Sequence, residues 1–177
     1  MHFDSRILLF WAASLFLFLL TMLVNSRLAG LSLYLILIGP MLIMPALKLQ
    51  SPALILYCLI TGLSIDALLP QNYWLFIFGL PFIGLIIRSI RGYFRTEASY
   101  RLVLLAHIAN LACILLLSIY QGVHHGQIVA SLPQIVAIIT LSHTILFIVA
   151  PWFFSFERIL FHLLNIEFAQ DDELSEL

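Results

Sequence analysis

Asp66 is the only acid within an apolar run of this chain, which makes it the first candidate for chemistry. A carboxylate at membrane depth costs roughly 3 kcal/mol on insertion scales, so it must face a protein interior, water or a partner. Counted from Pro52, Asp66 lies about 20 Å along its run, in the outer third of a bilayer. Two roles are open there. It is a partner contact or proton site, or it is a structural carboxylate that ties two helices and caps the turn at Pro70 to Tyr73. His107 and His143 form the second candidate set. Each lies about 8 Å in from the same end of its run if the two runs are adjacent helices. Asn110 follows His107 on the same helical face, and Ser142 and Thr144 flank His143. Two histidines without a further ligand make a poor tetrahedral metal set. The expectation is an interhelical polar pair, since polar side chains commonly join helices in lipid. His124-His125 reads as a solvated loop pair.

Motifs for catalysis are missing. Gly62-Leu-Ser-Ile-Asp66 has the glycine and serine of a nucleophile elbow, but Asp stands where the second glycine belongs. No phosphate-binding glycine loop, paired-cysteine site or HExxH helix occurs. Hydrolysis would need a nucleophile, a base and an oxyanion pocket together, and none can be assembled. The expectation is therefore a protein that is not an enzyme and that takes no cofactor or metal. Cys58 and Cys113 lie inside apolar runs and read as small buried hydrophobes. Arg88, Arg91, Arg95 and Arg101 form one basic loop, which is drawn to anionic headgroups at about 1 kcal/mol each. Docking of a cytoplasmic protein is a second use for it.

The elements that carry these residues are set by lipid. Of 177 residues, 63% are hydrophobic and 10% charged, too few polar groups to cover a water-facing domain. A net charge of -1 gives no basic surface for nucleic acid. About 20 apolar residues cross a bilayer core of about 30 Å. The runs are Ile7 to Val24, Leu28 to Leu47, Pro52 to Leu69, Tyr73 to Ile87, Leu102 to Tyr120 and Ile128 to Phe154. They predict an all-α polytopic membrane protein of about six transmembrane helices. Gly39-Pro40 and Pro45 should kink the second run or break it. The first run has no small-residue cleavage site after it and reads as a retained helix. Residues 1–154 then form one transmembrane domain. Residues 155–177 form a cytoplasmic interfacial helix over Phe156 to Phe168, with Glu157 away from its apolar face, and an acidic tail. Six crossings put Arg6, Lys48, Arg88, Arg91, Arg95, Arg101 and Arg158 on one side and only Arg27 on the other. By the positive-inside rule both termini are cytoplasmic.

The stretch from Leu31 to Tyr93 resembles the bacterial rod shape-determining MreD family. The matching features are the kinked second run with Gly39-Pro40, a short basic turn, and Leu59-Ile-Thr-Gly-Leu-Ser-Ile-Asp66-Ala-Leu-Leu. A brief polar turn and a short aromatic span ending in Arg88 follow. The resemblance implies a fold similar to the substrate-binding components of energy-coupling-factor vitamin transporters. It also implies a non-enzymatic scaffold of the cell-elongation machinery in the cytoplasmic membrane. Such a scaffold sits beside a membrane-anchored MreC and links MreB filaments to peptidoglycan synthases. On this reading Pro40, Gly62, Asp66 and Arg88 hold structural or partner roles, and Arg91, Arg95 and Arg101 supply the cytoplasmic face. The alternative is a substrate-binding membrane subunit of a vitamin-type transporter. The first run weakens it, because Ala12, Ala13 and Ser14 make no spaced small-residue stripe for docking a coupling subunit.

Overall fold

No glycine or proline interrupts residues 5–28, and they form one helix, α1 (Ser5–Leu28), about 36 Å long. Its buried positions, Ile7, Phe10, Ala13, Ser14, Leu17, Phe18 and Thr21, recur every three or four residues. The opposite face is just as apolar, with Leu8, Phe16, Leu19 and Leu23 exposed. The computed structural model describes residues 5–31, 33–68, 74–90, 99–125 and 132–164. Among these there are six α-helices and no strand. Four helical stretches are long and apolar enough to cross a membrane: Ser5–Leu31, Ser51–Leu68, Tyr100–Tyr120 and Leu132–Leu163. Large apolar side chains cover the outside, among them Phe78 at 73% exposure and Phe147 at 67%. Such a surface is stable only against lipid. The chain is an all-α polytopic membrane protein.

The second apolar run is broken rather than kinked. A 3₁₀ turn, Ala29–Leu31, closes α1, and residues 33–38 form neither helix nor strand. Helix α2 (Gly39–Lys48) then starts at the Gly39-Pro40 pair. Proline disfavours helical geometry in the residue before it and has no N–H to satisfy in a first turn, so it starts a helix well. Every residue of α2 from Gly39 to Leu47 is buried. A helix apolar on all sides belongs at the centre of a bundle, and α2 packs against α1, α3, α4, α5 and α6. Gly39 allows the closest of these approaches, because a Cβ there would fall on the carbonyl oxygen of Ala106 in α5.

Pro45 has no N–H for the carbonyl of Met41, one turn back in α2. Tyr57 takes over that role from α3 (Ser51–Leu68), its hydroxyl donating to Met41 O at 2.7 Å. Because the phenol has a single proton, the 2.6 Å contact between Ser14 and Tyr57 must have Ser14 Oγ as donor. One serine and one tyrosine thus bind α1 and α3 to the proline break of α2. Helix α4 (Leu75–Ser89) follows, and α3 with α4 is the most extensively packed pair.

Helices α5 (Ser99–His125) and α6 (Leu132–Leu163) run longer than the apolar runs suggest. The segment expected as a loop after Tyr120 is helical as far as His125. No break separates a sixth span ending near residue 154 from an interfacial helix: α6 passes through Pro151 to Leu163 as one rod. Its inward face, Ser142, Leu146, Ala150, Phe153, Phe154, Glu157 and Phe161, continues across the expected boundary. Phe161 packs against Phe10 of α1, the rings tilted by 45° with centroids 4.7 Å apart, which holds this last part of the helix to the bundle. The acidic tail lies outside the described residues.

Candidate functional site

Non-helical backbone at membrane depth lacks helical hydrogen bonds, and lipid supplies none. Side chains from three helices bond the stretch from Leu35 to Gly39. Asn25 of α1 grips both polar groups of Leu35: its Nδ2 donates to Leu35 O at 2.8 Å, and Leu35 N–H donates to its Oδ1 at 2.6 Å. Ser142 Oγ of α6 accepts from Ile36 N–H at 3.1 Å. Asn110 of α5 donates from Nδ2 to Ile36 O at 2.9 Å and accepts from Gly39 N–H at 3.1 Å. Asn110 and Ser142 are fully buried. The amides replace a neighbouring strand, so the break in the second run is a built feature. Sequence reasoning missed all three roles. Asn25 read as the end of a run, Asn110 as a neighbour of His107 and Ser142 as a flank of His143. The available signal was an uncharged polar residue inside or closing an apolar run.

Asp66 sits near the end of α3 and faces the start of α4. The backbone N–H groups of Phe76 and Ile77 each donate to its Oδ2 at 3.0 Å, and Phe76 N–H also reaches Oδ1 at 3.3 Å. The first turn of any helix leaves N–H groups unsatisfied, and a carboxylate is the strongest cap for them. The residue before α4, Trp74, has φ 52° and makes no side-chain cap of its own. Asp66 therefore caps α4 from another helix. Gly62, one turn earlier in α3, makes room for this approach, since a Cβ there would lie 2.7 Å from Ile77 Cα. At the other end of α4, Arg88 Nη1 donates to Leu49 O in the turn between α2 and α3. Pro40 lies in the first turn of α2. Pro40, Gly62, Asp66 and Arg88 thus belong to one unit, α2–α3–α4. Ser64, the serine of the incomplete nucleophile motif, accepts from Trp11 Nε1 at 3.1 Å and donates to Ile60 O at 2.8 Å.

His107 and His143 meet across α5 and α6. Their Nδ1 atoms are 2.7 Å apart and their rings stack at 5.0 Å and 16°. One Nδ1 must donate and the other accept, so the neutral pair holds opposite tautomers. Both Nε2 atoms are buried without a hydrogen-bond partner, and Phe147 lies 4.4 Å from His107, centroid to centroid. No group of three or more metal-ligating side chains occurs among the described residues.

Family models, characterised proteins and solved structures offer no match to this chain.

Glu157 corrects an expectation. It is not on a water-facing side of an interfacial helix but fully buried, between Phe153, Phe154 and Phe161 on the inward face of α6. Asp66 is therefore not the only acid inside the bundle. Neither carboxylate oxygen of Glu157 has a hydrogen-bond partner. The unbroken continuation of α6 past Pro151 carries the residue inward, where a separate surface helix would have turned it out. Of the basic loop, Arg91 and Arg95 lie outside the described residues. Arg101 stands at the start of α5, its Nε donating to the Tyr100 hydroxyl at 3.2 Å and its guanidinium 5.8 Å from that ring's centroid. Cys58 and Cys113 are both free and buried.

Proposed function

We propose that this protein is a non-enzymatic scaffold of the MreD kind in a bacterial cytoplasmic membrane. It joins an MreC-like membrane-anchored partner to MreB filaments and peptidoglycan synthases. The observation that carries the reading is the use made of Pro40, Gly62, Asp66 and Arg88. Each starts a helix, admits a close approach or closes a turn within α2–α3–α4, so the chemistry of the family-like stretch is spent on shape.

Six crossings are part of the same reading. The non-helical residues 33–38 reach at most about 20 Å at 3.3 Å each, and the ten residues of α2 add about 15 Å, against a core of about 30 Å. The fifteen residues of α4 reach about 22 Å, which the bilayer meets by thinning. Both termini and the basic loop with Arg91, Arg95 and Arg101 are then cytoplasmic. Co-purification with the MreC-like protein encoded beside it tests the reading. Wild type should retain that partner, and Asp66→Ala, with α4 uncapped, should retain it poorly. Failure of wild type to hold any such partner, with normal rod shape after gene deletion, would sink the scaffold.

One observation favours a second reading, a substrate-binding subunit of a vitamin-type transporter. Interrupted helices buried at the bilayer midplane form ligand sites in transporters. A small molecule retained through purification and seen by native mass spectrometry would select this reading over the scaffold.

A further inference from the structure

We propose that Glu157 is a proton-binding site: it holds its carboxyl proton while the end of α6 is docked and releases it to water when that end lifts from α1. The side chain is 0% exposed on the inward face of α6, beside Phe153, Phe154 and Phe161. Neither carboxyl oxygen has a hydrogen-bond partner among the described residues. None of the charged or titratable groups on the surrounding helices bonds to it, neither Arg6 on α1, Lys48 on α2, Tyr57 and Cys58 on α3, nor Arg101 on α5. Tyr57 is within electrostatic reach, but its single proton is already on Met41 O. On α6 itself, Arg158 and His162 are exposed, away from the buried acid. A bare carboxylate shut off from water with no bonded cation costs far more than a neutral carboxyl, whose polar atoms are only unsatisfied. The packed bundle therefore suits the acid form.

Two features make the docked end separable. Pro151 lies inside α6 and has no N–H for the carbonyl of Phe147, so the helix is weakest there. Beyond it, aromatic contacts hold the end to α1: Phe161 against Phe10 with centroids 4.7 Å apart, and Phe156 against Phe16 at 5.8 Å. Such contacts have no directional bond to break. Lifting brings Glu157 into water, where a carboxyl ionises well below neutral pH. The docked end thus carries one proton more than the lifted end. Docking is favoured at low pH, and its equilibrium constant falls about tenfold for each pH unit above the ordinary carboxyl range, until the docked carboxyl itself ionises.

Infrared spectra of the full chain in lipid nanodiscs read the proton directly. Near neutral pH, wild type should show the carbonyl stretch of a protonated carboxylic acid, and Glu157→Gln should lose that band. Spin labels on Leu8→Cys and Ile159→Cys, both at exposed positions, read the docking from their distance distribution. Cys58 and Cys113 are buried and take no label. Between about pH 6 and about pH 9 the longer-distance population should grow in wild type, by up to about tenfold per pH unit, and should stay constant in Glu157→Gln, which cannot ionise. A neutral-pH spectrum of wild type without a protonated carboxyl overturns the proposal and needs no variant. A band that survives in Glu157→Gln overturns it too, as does a label distance that ignores pH in wild type or responds equally in both proteins.

Discussion

At the scale of single residues, side-chain amides and one carboxylate do work usually done by backbone. Asn110 holds a carbonyl and an N–H on either side of the helix start at Gly39. Asn110→Leu keeps the volume but leaves both groups buried and unpaired at about 1–3 kcal/mol each. We expect a loss of about 2–4 kcal/mol, read from reversible unfolding in mixed detergent micelles, with Asn110→Ala no better. Glu157 predicts the opposite sign. Its carboxyl is buried among phenylalanines with no partner, and methionine has nearly the same length and volume without the polar atoms. Glu157→Met should raise stability by about 1–3 kcal/mol in the same assay. A stability loss there would mean that the carboxyl has a partner in the membrane.

At the scale of elements, the proline break in α2 and its repair by α3 form a coupled pair. Tyr57→Phe removes the donor to Met41 O and should cost about 1 kcal/mol. Pro45→Ala restores a backbone N–H that can reach the same carbonyl. In the Pro45→Ala background the tyrosine hydroxyl is no longer needed there, so Tyr57→Phe should cost much less. A double-mutant cycle of melting measurements should return a coupling of about 1 kcal/mol. Additive effects would show that the hydroxyl and the proline act independently. The α3–α4 pair rests on a similar economy, with Gly62 and Asp66 both turned to the first turn of α4.

At the scale of the molecule, a central α2 is ringed by other helices, and most of the large side chains on the outer surface are apolar. Helix α6 is the most exposed of the long helices; only 17% of its most apolar window is buried, against 39% in the others. With Trp152 exposed on it and Arg158 further on, its far end suits the level of the headgroups. The proposed six-crossing topology would place the two ends of the chain in one compartment. Epitope tags at either terminus should resist external protease in spheroplasts and be cleaved only after permeabilisation. Cleavage of one tag but not the other in intact spheroplasts would require an odd number of crossings.

The all-helical, apolar character of the chain and the site of the break at Gly39-Pro40 were legible in the sequence. Hydropathy and proline stereochemistry are local properties that need no neighbour. The meeting of His107 with His143 was legible because both lie at one depth on consecutive runs. Rotation about each helix axis was not legible. In lipid the outer face is as apolar as the core, so α1 and α3 carry no amphipathic stripe to say which side turns inward. Only the assembled bundle decides that Asn25, Asn110 and Ser142 converge on one non-helical stretch, that Tyr57 finds the carbonyl left by Pro45, and that Glu157 turns inward. Those contacts join residues from 10 to 106 positions apart, and their partners exist only once the helices have packed.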